Sequence, residues 1–310
     1  MSKQIKGILL AACGASFWGG SGAAAQYLFT NTSITTAWLV AIRLLIAGLL
    51  MTGISWMKSP QQVKGILCDR HNLLILFVFA IFGMLNSQFT YFLAVAHSNA
   101  PTATVIQYLQ PVFIIIWLAF REHQWPRRVD FISIIIAIIG TFLLATGGHL
   151  GQLALTPAAI FWGIMCALAA ALYTLLPRPL LAQFDALTVC GLAILICGIG
   201  LLPELLFHPL PALKVSDWGL IVYIIIFGTM FSYSMFLQSM KYISASVTGM
   251  LSAFEPLVAT ILAVGFLGTK LTGAAIIGSL LILFTTVLQS IPLKRIKEIS
   301  LQYFKRNKVK

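Results

Sequence analysis

The sequence predicts an all-α integral membrane protein of ten transmembrane helices, arranged as two inverted five-helix repeats. Three observations predict it. The 310 residues are 59% hydrophobic and 9% charged with a mean hydropathy of +0.96, too little polar surface for a soluble domain. Ten apolar runs of roughly 20 residues, each long enough to cross a bilayer, follow one another through short connections. Sliding the chain by 145 residues brings Pro111 onto Pro256. The same shift brings Phe82 onto Phe227, Gly83 onto Gly228, Ser87 onto Ser232, Ala100 onto Ala245 and Ile116 onto Ile261. A five-span unit written twice must place its second copy upside down, because five is odd.

The first run, 6–28, follows Lys3 and Lys6 but ends in Tyr27-Leu28-Phe29 rather than at a small-residue cleavage site. It therefore reads as a mature span and not as a signal peptide. Gly14, Ala15, Gly19, Gly20, Gly22 and Ala23 flank Phe17-Trp18. Such small residues let helices approach closely, with a substrate contact or a flexing point as alternative roles. Run two, 36–57, carries Arg43 at its middle, and run three, 72–96, holds Asn86-Ser87-Gln88 and Tyr91. A tight hairpin from His97 to Pro101 leads into run four, 101–120, with Gln107, Gln110 and Pro111. Run five, 129–147, ends at Gly147-Gly148. The halves divide near there: 1–150 is the first repeat, 151–292 the second, and 293–310 a basic tail.

Runs six and seven, 157–177 with Tyr173 and 187–207, open the second half. Pro203, Pro209 and Pro211 predict an extended loop from Pro203 to Asp217. Run eight, 217–240, contains Ser232-Tyr233-Ser234; run nine, 245–267, contains Ser252, Glu255 and Pro256; run ten, 271–291, stops before Pro292.

Charge placement sets the orientation. With the amino terminus inside the cell, 17 of the 20 basic residues fall on the cytoplasmic side. Only Lys214 and Lys270 fall outside, and Arg43 lies within a span. This positive-inside bias predicts a multi-pass plasma (inner) membrane protein with both termini cytoplasmic. It also explains the net charge of +12 without nucleic acid, since the basic tail touches anionic headgroups of the lipid bilayer. The five cysteines form no metal-type pairing and no disulfide framework. No cofactor or metal is expected, and no oligomeric state is assigned.

Ionisable residues inside a membrane cost on the order of 2.5–3.5 kcal/mol each by insertion scales, so each needs a reason. Two stand out: Arg43, and Glu255, the one acid well inside a span. Either residue is a structural anchor or part of a solute path, and Arg43 is a candidate partner for Glu255 or for a substrate carboxylate. The 145-residue shift maps Glu255 onto Gln110 and Ser252 onto Gln107, each set immediately ahead of a proline. Each proline removes a helix donor, which frees the carbonyls of Gln107 and Ser252. Freed polar backbone at this depth must face protein or a wet cavity. The candidate translocation path is therefore Glu255, Gln110, Gln107, Ser252 and Arg43, with Trp18, Asn86, Tyr91, Tyr173 and Tyr233 around it and helix breaks at Pro111 and Pro256. The aromatic residues are open between helix packing and cation or ring stacking. There is no phosphate-binding Gly-rich loop with Lys-Ser/Thr, and no catalytic triad or zinc spacing. The chain is not expected to be an enzyme.

The residues Ser16-Phe17-Trp18-Gly19, mid-helix Arg43, Gln110-Pro111 with Glu122 at the end of span four, and Glu255-Pro256-Leu257-Val258 resemble the drug/metabolite transporter superfamily. Specifically, the chain is similar to its ten-span EamA-type permeases, over almost its whole length. One position departs: Thr269 stands where those permeases usually carry an acid, and is expected to be an interface feature. The resemblance implies a secondary transporter of small metabolites, amino acids or related compounds, by export, through a central cavity, with protons as the candidate coupling ion. A uniporter for a sugar, nucleoside or quaternary amine is the alternative. A polytopic enzyme acting on lipid-linked substrates is a more distant one.

Overall fold

A chain solvated by lipid must satisfy its backbone internally, and this one does so with helices. The structure, a computed structural model, describes residues 3–122, 128–148, 154–208, 211–239, 241–243, 248 and 251–290; no strand occurs among them. The boundary at 150, the hairpin at 244–247 and the tail 293–310 lie outside the described residues. Among the described residues, six helical rods are long and apolar enough to cross a membrane, and four shorter apolar helices accompany them.

The first half comprises α1 (Lys3–Asn31), α2 (Thr36–Lys58), α3 (Pro60–Leu67), α4 (Arg70–Val78), α5 (Asn86–His97), α6 (Ala100–Gln107), α7 (Gln110–Glu122) and α8 (Arg128–Thr146). Side-chain caps fix several starts, as hydroxyl, amide and carboxylate oxygens do for the first free N–H groups of a helix. Thr35 accepts from the Trp38 N–H, Asp69 from those of His71 and Asn72, and Asn99 from that of Thr102. The second half comprises α9 (Pro157–Leu175), α10 (Arg178–Leu181), α11 (Ala186–Gly200), α12 (Leu202–Phe207), α13 (Val215–Ile225), α14 (Ser232–Ser239), α15 (Phe254–Leu267) and α16 (Gly273–Ser290).

Three local features differ from the sequence expectation. The stretch after Pro203 is not wholly extended: α12 forms there, because Pro203 sits in its first turn, where a missing N–H costs nothing. Spans four and nine do break, but ahead of their prolines, at Tyr108–Leu109 and Ser252–Ala253. Pro111 is the second residue of α7 and Pro256 the third of α15, so each helix restarts just before its proline. The third difference is a pair of π-helical stretches, Phe79–Leu85 between α4 and α5 and Ile226–Phe231 between α13 and α14. They occupy nearly matching places under the 145-residue shift. Their wide turns leave carbonyls that side chains take up: Thr229 donates to Ile224 at 2.9 Å, Ser232 to Phe227 at 2.6 Å and Cys197 to Ala80 at 3.0 Å.

Packing pairs equivalent helices. Along α2, Leu45, Gly48 and Met51 lie against Gly198, Leu195 and Gly191 of α11, so the two run antiparallel. The same holds where Gly140 and Leu144 of α8 meet Leu281 and Gly278 of α16. The 145-residue shift superposes α2 on α11 and α8 on α16. The first helix of each half leans on the other half: α1 packs against α14 and α15, and α9 against α5, α6 and α7. The glycines of α1 serve this approach. A Cβ at Gly19 would collide with the Glu255 carbonyl, and one at Gly14 would come within 3.1 Å of the Phe236 nitrogen.

Gln26 of α1 ties the halves together at one end. Its oxygen accepts from the Ala100 N–H at 2.8 Å, and its amide nitrogen donates to Thr269 at 2.9 Å. Gly268, at φ 65°, ends α15 in the left-handed turn that aims Thr269 there. The departing residue Thr269 is thus an interface contact. Gln26→Ala is expected to cost about 1–3 kcal/mol, since the Ala100 N–H loses its partner. A lowered thermal midpoint in detergent checks this; an unchanged one overturns it.

Candidate functional site

The polar groups converge where the broken spans, the two π-containing rods, α1 and α9 meet. Glu255 lies in the first turn of α15, where the partial positive charge of a helix start favours a carboxylate. Its backbone N–H donates to the Ser252 carbonyl at 2.9 Å. That carbonyl, deprived of its helical donor by Pro256, also accepts the Tyr108 hydroxyl at 2.6 Å. Tyr108 belongs to the break of span four, and its hydroxyl also faces the Glu255 carboxyl. The two interruptions therefore meet each other.

Around this junction, Gln88 donates to the Tyr233 hydroxyl at 2.8 Å. These two residues are 145 apart and so occupy equivalent positions in the two halves. Trp18 stands edge-on to the Tyr233 ring at 5.2 Å, and Tyr173 lies 6.4 Å from it. Tyr91, buried, shares a 3.0 Å hydrogen bond with Thr104. Gln110, half-buried at the start of α7, donates to the Thr174 hydroxyl. The Gln107 side-chain oxygen is buried and finds no hydrogen-bond partner among the described residues. Asn86 opens α5 directly after the π-helical stretch, and its carbonyl accepts from Thr90 at 2.7 Å.

Arg43 does not join Glu255. It is 3% exposed, donates through Nε to Thr229 at 2.6 Å and lies 4.9 Å over the Phe92 ring. Among the described residues the one ion pair is His208–Glu204, at 3.2 Å. That pair borders a cleft of about 360 Å³ lined by Thr35, Trp38 and Pro211, away from the central cluster. No group of three or more metal-ligating side chains occurs among the described residues.

Sequence reasoning missed Tyr108, Thr174 and Thr229. Tyr108 carried a signal: it lies between Gln107 and Gln110 on the stretch identified from the proline register. Thr174 and Thr229 carried none, because their partners lie on other helices.

The sequence matches the EamA-like transporter family over residues 5–146 and again over 157–291. The chain belongs to the EamA-like transporter family. The chain is similar to YicL, an inner membrane transporter of Salmonella typhimurium, 35% identical over 95% of this chain and 98% of that one. The threonine/homoserine exporter RhtA of the same species is 26% identical over 57% of this chain and 60% of that protein. YxxF, a transporter of Bacillus subtilis, is 25% identical over 77% of this chain and 76% of its own length. A crystal structure that is 19% identical superposes with a TM-score of 0.64, covering 94% of this chain and 99% of that one, and shares the fold. This EamA-like transporter is a multi-pass membrane protein of the drug/metabolite transporter kind. The family and the names of these relatives point to a transporter rather than an enzyme.

Proposed function

We propose that this EamA-like transporter is a secondary transporter that exports amino acids or related small metabolites. Its path runs between two inverted five-helix repeats, with ten spans and both termini in the cytoplasm. Glu255 binds the substrate ammonium group or the coupling proton. Arg43, Gln107, Gln110, Ser252 and the ring set Trp18, Tyr91, Tyr173 and Tyr233 shape the route, with Asn86 beside it.

The observation that carries this reading is the contact between Gln88 and Tyr233 next to the Tyr108–Ser252 junction. Counterparts related by a two-fold axis touch only beside that axis, which in an inverted-repeat transporter passes through the solute site. The antiparallel packing of α2 on α11 and of α8 on α16 supports the inversion, because both are pairs of equivalent helices. The exporter RhtA supports an amino-acid substrate.

Reconstitution tests it. Threonine and homoserine uptake into proteoliposomes is expected to follow an imposed pH gradient. Glu255→Gln is expected to lower gradient-driven accumulation about 10- to 100-fold, the loss of one charge-assisted contact of about 1.5–3 kcal/mol. Wild-type accumulation and pH dependence in this variant would remove the coupling role. Equilibration without accumulation in the wild type would make the protein a facilitator.

A further inference from the structure

At the junction between the broken spans the Tyr108 hydroxyl meets a backbone carbonyl and a carboxyl group, with the Ser252 hydroxyl beside it. The Tyr108 hydroxyl donates to the Ser252 carbonyl at 2.6 Å, and the Glu255 carboxyl lies within its reach. A phenol has a single O–H, so at any moment it donates to one of them only. The Ser252 carbonyl is available because Pro256 has no N–H to offer it, and the neighbouring N–H of Glu255 fills only part of its capacity. Among the described residues, the other ionisable groups near Glu255 are the hydroxyls of Tyr91 and Tyr233 and the thiol of Cys166. Tyr91 is engaged with Thr104, and Tyr233 accepts from Gln88. The α1 face against Glu255 is Gly19, which brings no titratable group.

We infer that Tyr108 is a positioning residue that reports the state of Glu255 to the contact between the two broken spans. When a proton or a substrate ammonium neutralises Glu255, the hydroxyl donates to the Ser252 carbonyl and holds the break in span four against the break in span nine. When Glu255 is charged and empty, the hydroxyl turns to the carboxylate. The Ser252 carbonyl then loses the phenol, and the tie across the seam passes to the first turn of α15, three residues further on. No bond is broken other than a hydrogen bond, and the phenol keeps its proton throughout. One side chain thus converts occupancy of Glu255 into a choice between two ties across the seam between the halves. The inference rests on the proposed role of Glu255, and its test separates the two.

The experiment follows the protonated-carboxyl infrared band of the purified full-length protein across a pH titration, in wild type, E255Q and Y108F. A band present in wild type and missing in E255Q belongs to Glu255. In Y108F its midpoint is expected to move to higher pH by about one unit, since the ionised form loses a donor. Replacing Tyr108 with 3,5-difluorotyrosine keeps the shape, strengthens the donor and is expected to move the midpoint to lower pH, so a folding failure of Y108F leaves the test intact. Unmoved midpoints overturn the switch while leaving Glu255 in place. A band that E255Q does not remove overturns the reading of Glu255 itself.

Discussion

Replacing Gly48 or Gly198 with leucine is expected to disperse the bundle, while the same change at Gly53 or Gly200 leaves it folded. All four glycines lie on or at the end of the α2–α11 pair, so position decides the outcome. A Cβ at Gly48 would stand 2.5 Å from the Leu195 backbone, and one at Gly198 would stand 2.5 Å from that of Leu45. Backbone cannot turn aside as a side-chain tip can. The helices must separate, which also breaks the contacts of Leu44 and Ile194, both fully buried. The cost is about 3 kcal/mol or more per site, the upper end for overpacking. At Gly53 and Gly200 nothing lies within 4 Å of a built Cβ. There a leucine gains helix propensity of about 1 kcal/mol at most and enters open space. Monodispersity and thermal midpoint in detergent read the difference. Equal tolerance at all four positions would mean that this seam is not tight.

Arg43→Met is expected to leave stability nearly unchanged and to lower transport at least about 10-fold. The guanidinium gives up a charge-assisted bond to Thr229, worth about 1.5–3 kcal/mol. It also gives up its place over Phe92, worth about 0.5–2 kcal/mol. Against this, removing a buried cation with no carboxylate partner among the described residues recovers several kcal/mol of desolvation. The opposing contributions are of similar size, so the folded state gains little from the charge. A group that is costly to bury and stabilises little is retained for the solute or the moving part. The Thr229 hydroxyl keeps its bond to the Ile224 carbonyl in the variant, so the π-helical stretch has no reason to collapse. Full transport by Arg43→Met would make Arg43 an anchor only. Swapping the charges of Arg43 and Glu255 is expected to rescue nothing, because the two residues do not pair.

Much of the helical framework was legible because lipid imposes a simple rule: a long apolar run has no alternative to a helix. The prolines marked spans four and nine as interrupted. They misplaced the interruptions by a few residues, since proline is accommodated in the first turn of a helix and the chain unwinds just before it. The π-helical stretches were invisible, because residues such as Phe79–Leu85 look like any apolar helix and the wide turn shows only in its hydrogen bonding. The Ser252 carbonyl was identified as freed, but its partner was not, since Tyr108 is separated from it by more than a hundred residues. Charge alone left the partner of Arg43 open between Glu255 and a substrate carboxylate. The structure instead gives Arg43 a hydroxyl and a ring.

The wide turns at Phe79–Leu85 and Ile226–Phe231 also re-phase the helices that follow them. A π-helical turn takes in more residues than an α-helical one, so the side chains beyond it point in directions that an unbroken helix would not give them. Gln88 on α5 and Tyr233 on α14 both stand just past such a turn, and their contact depends on that rotation.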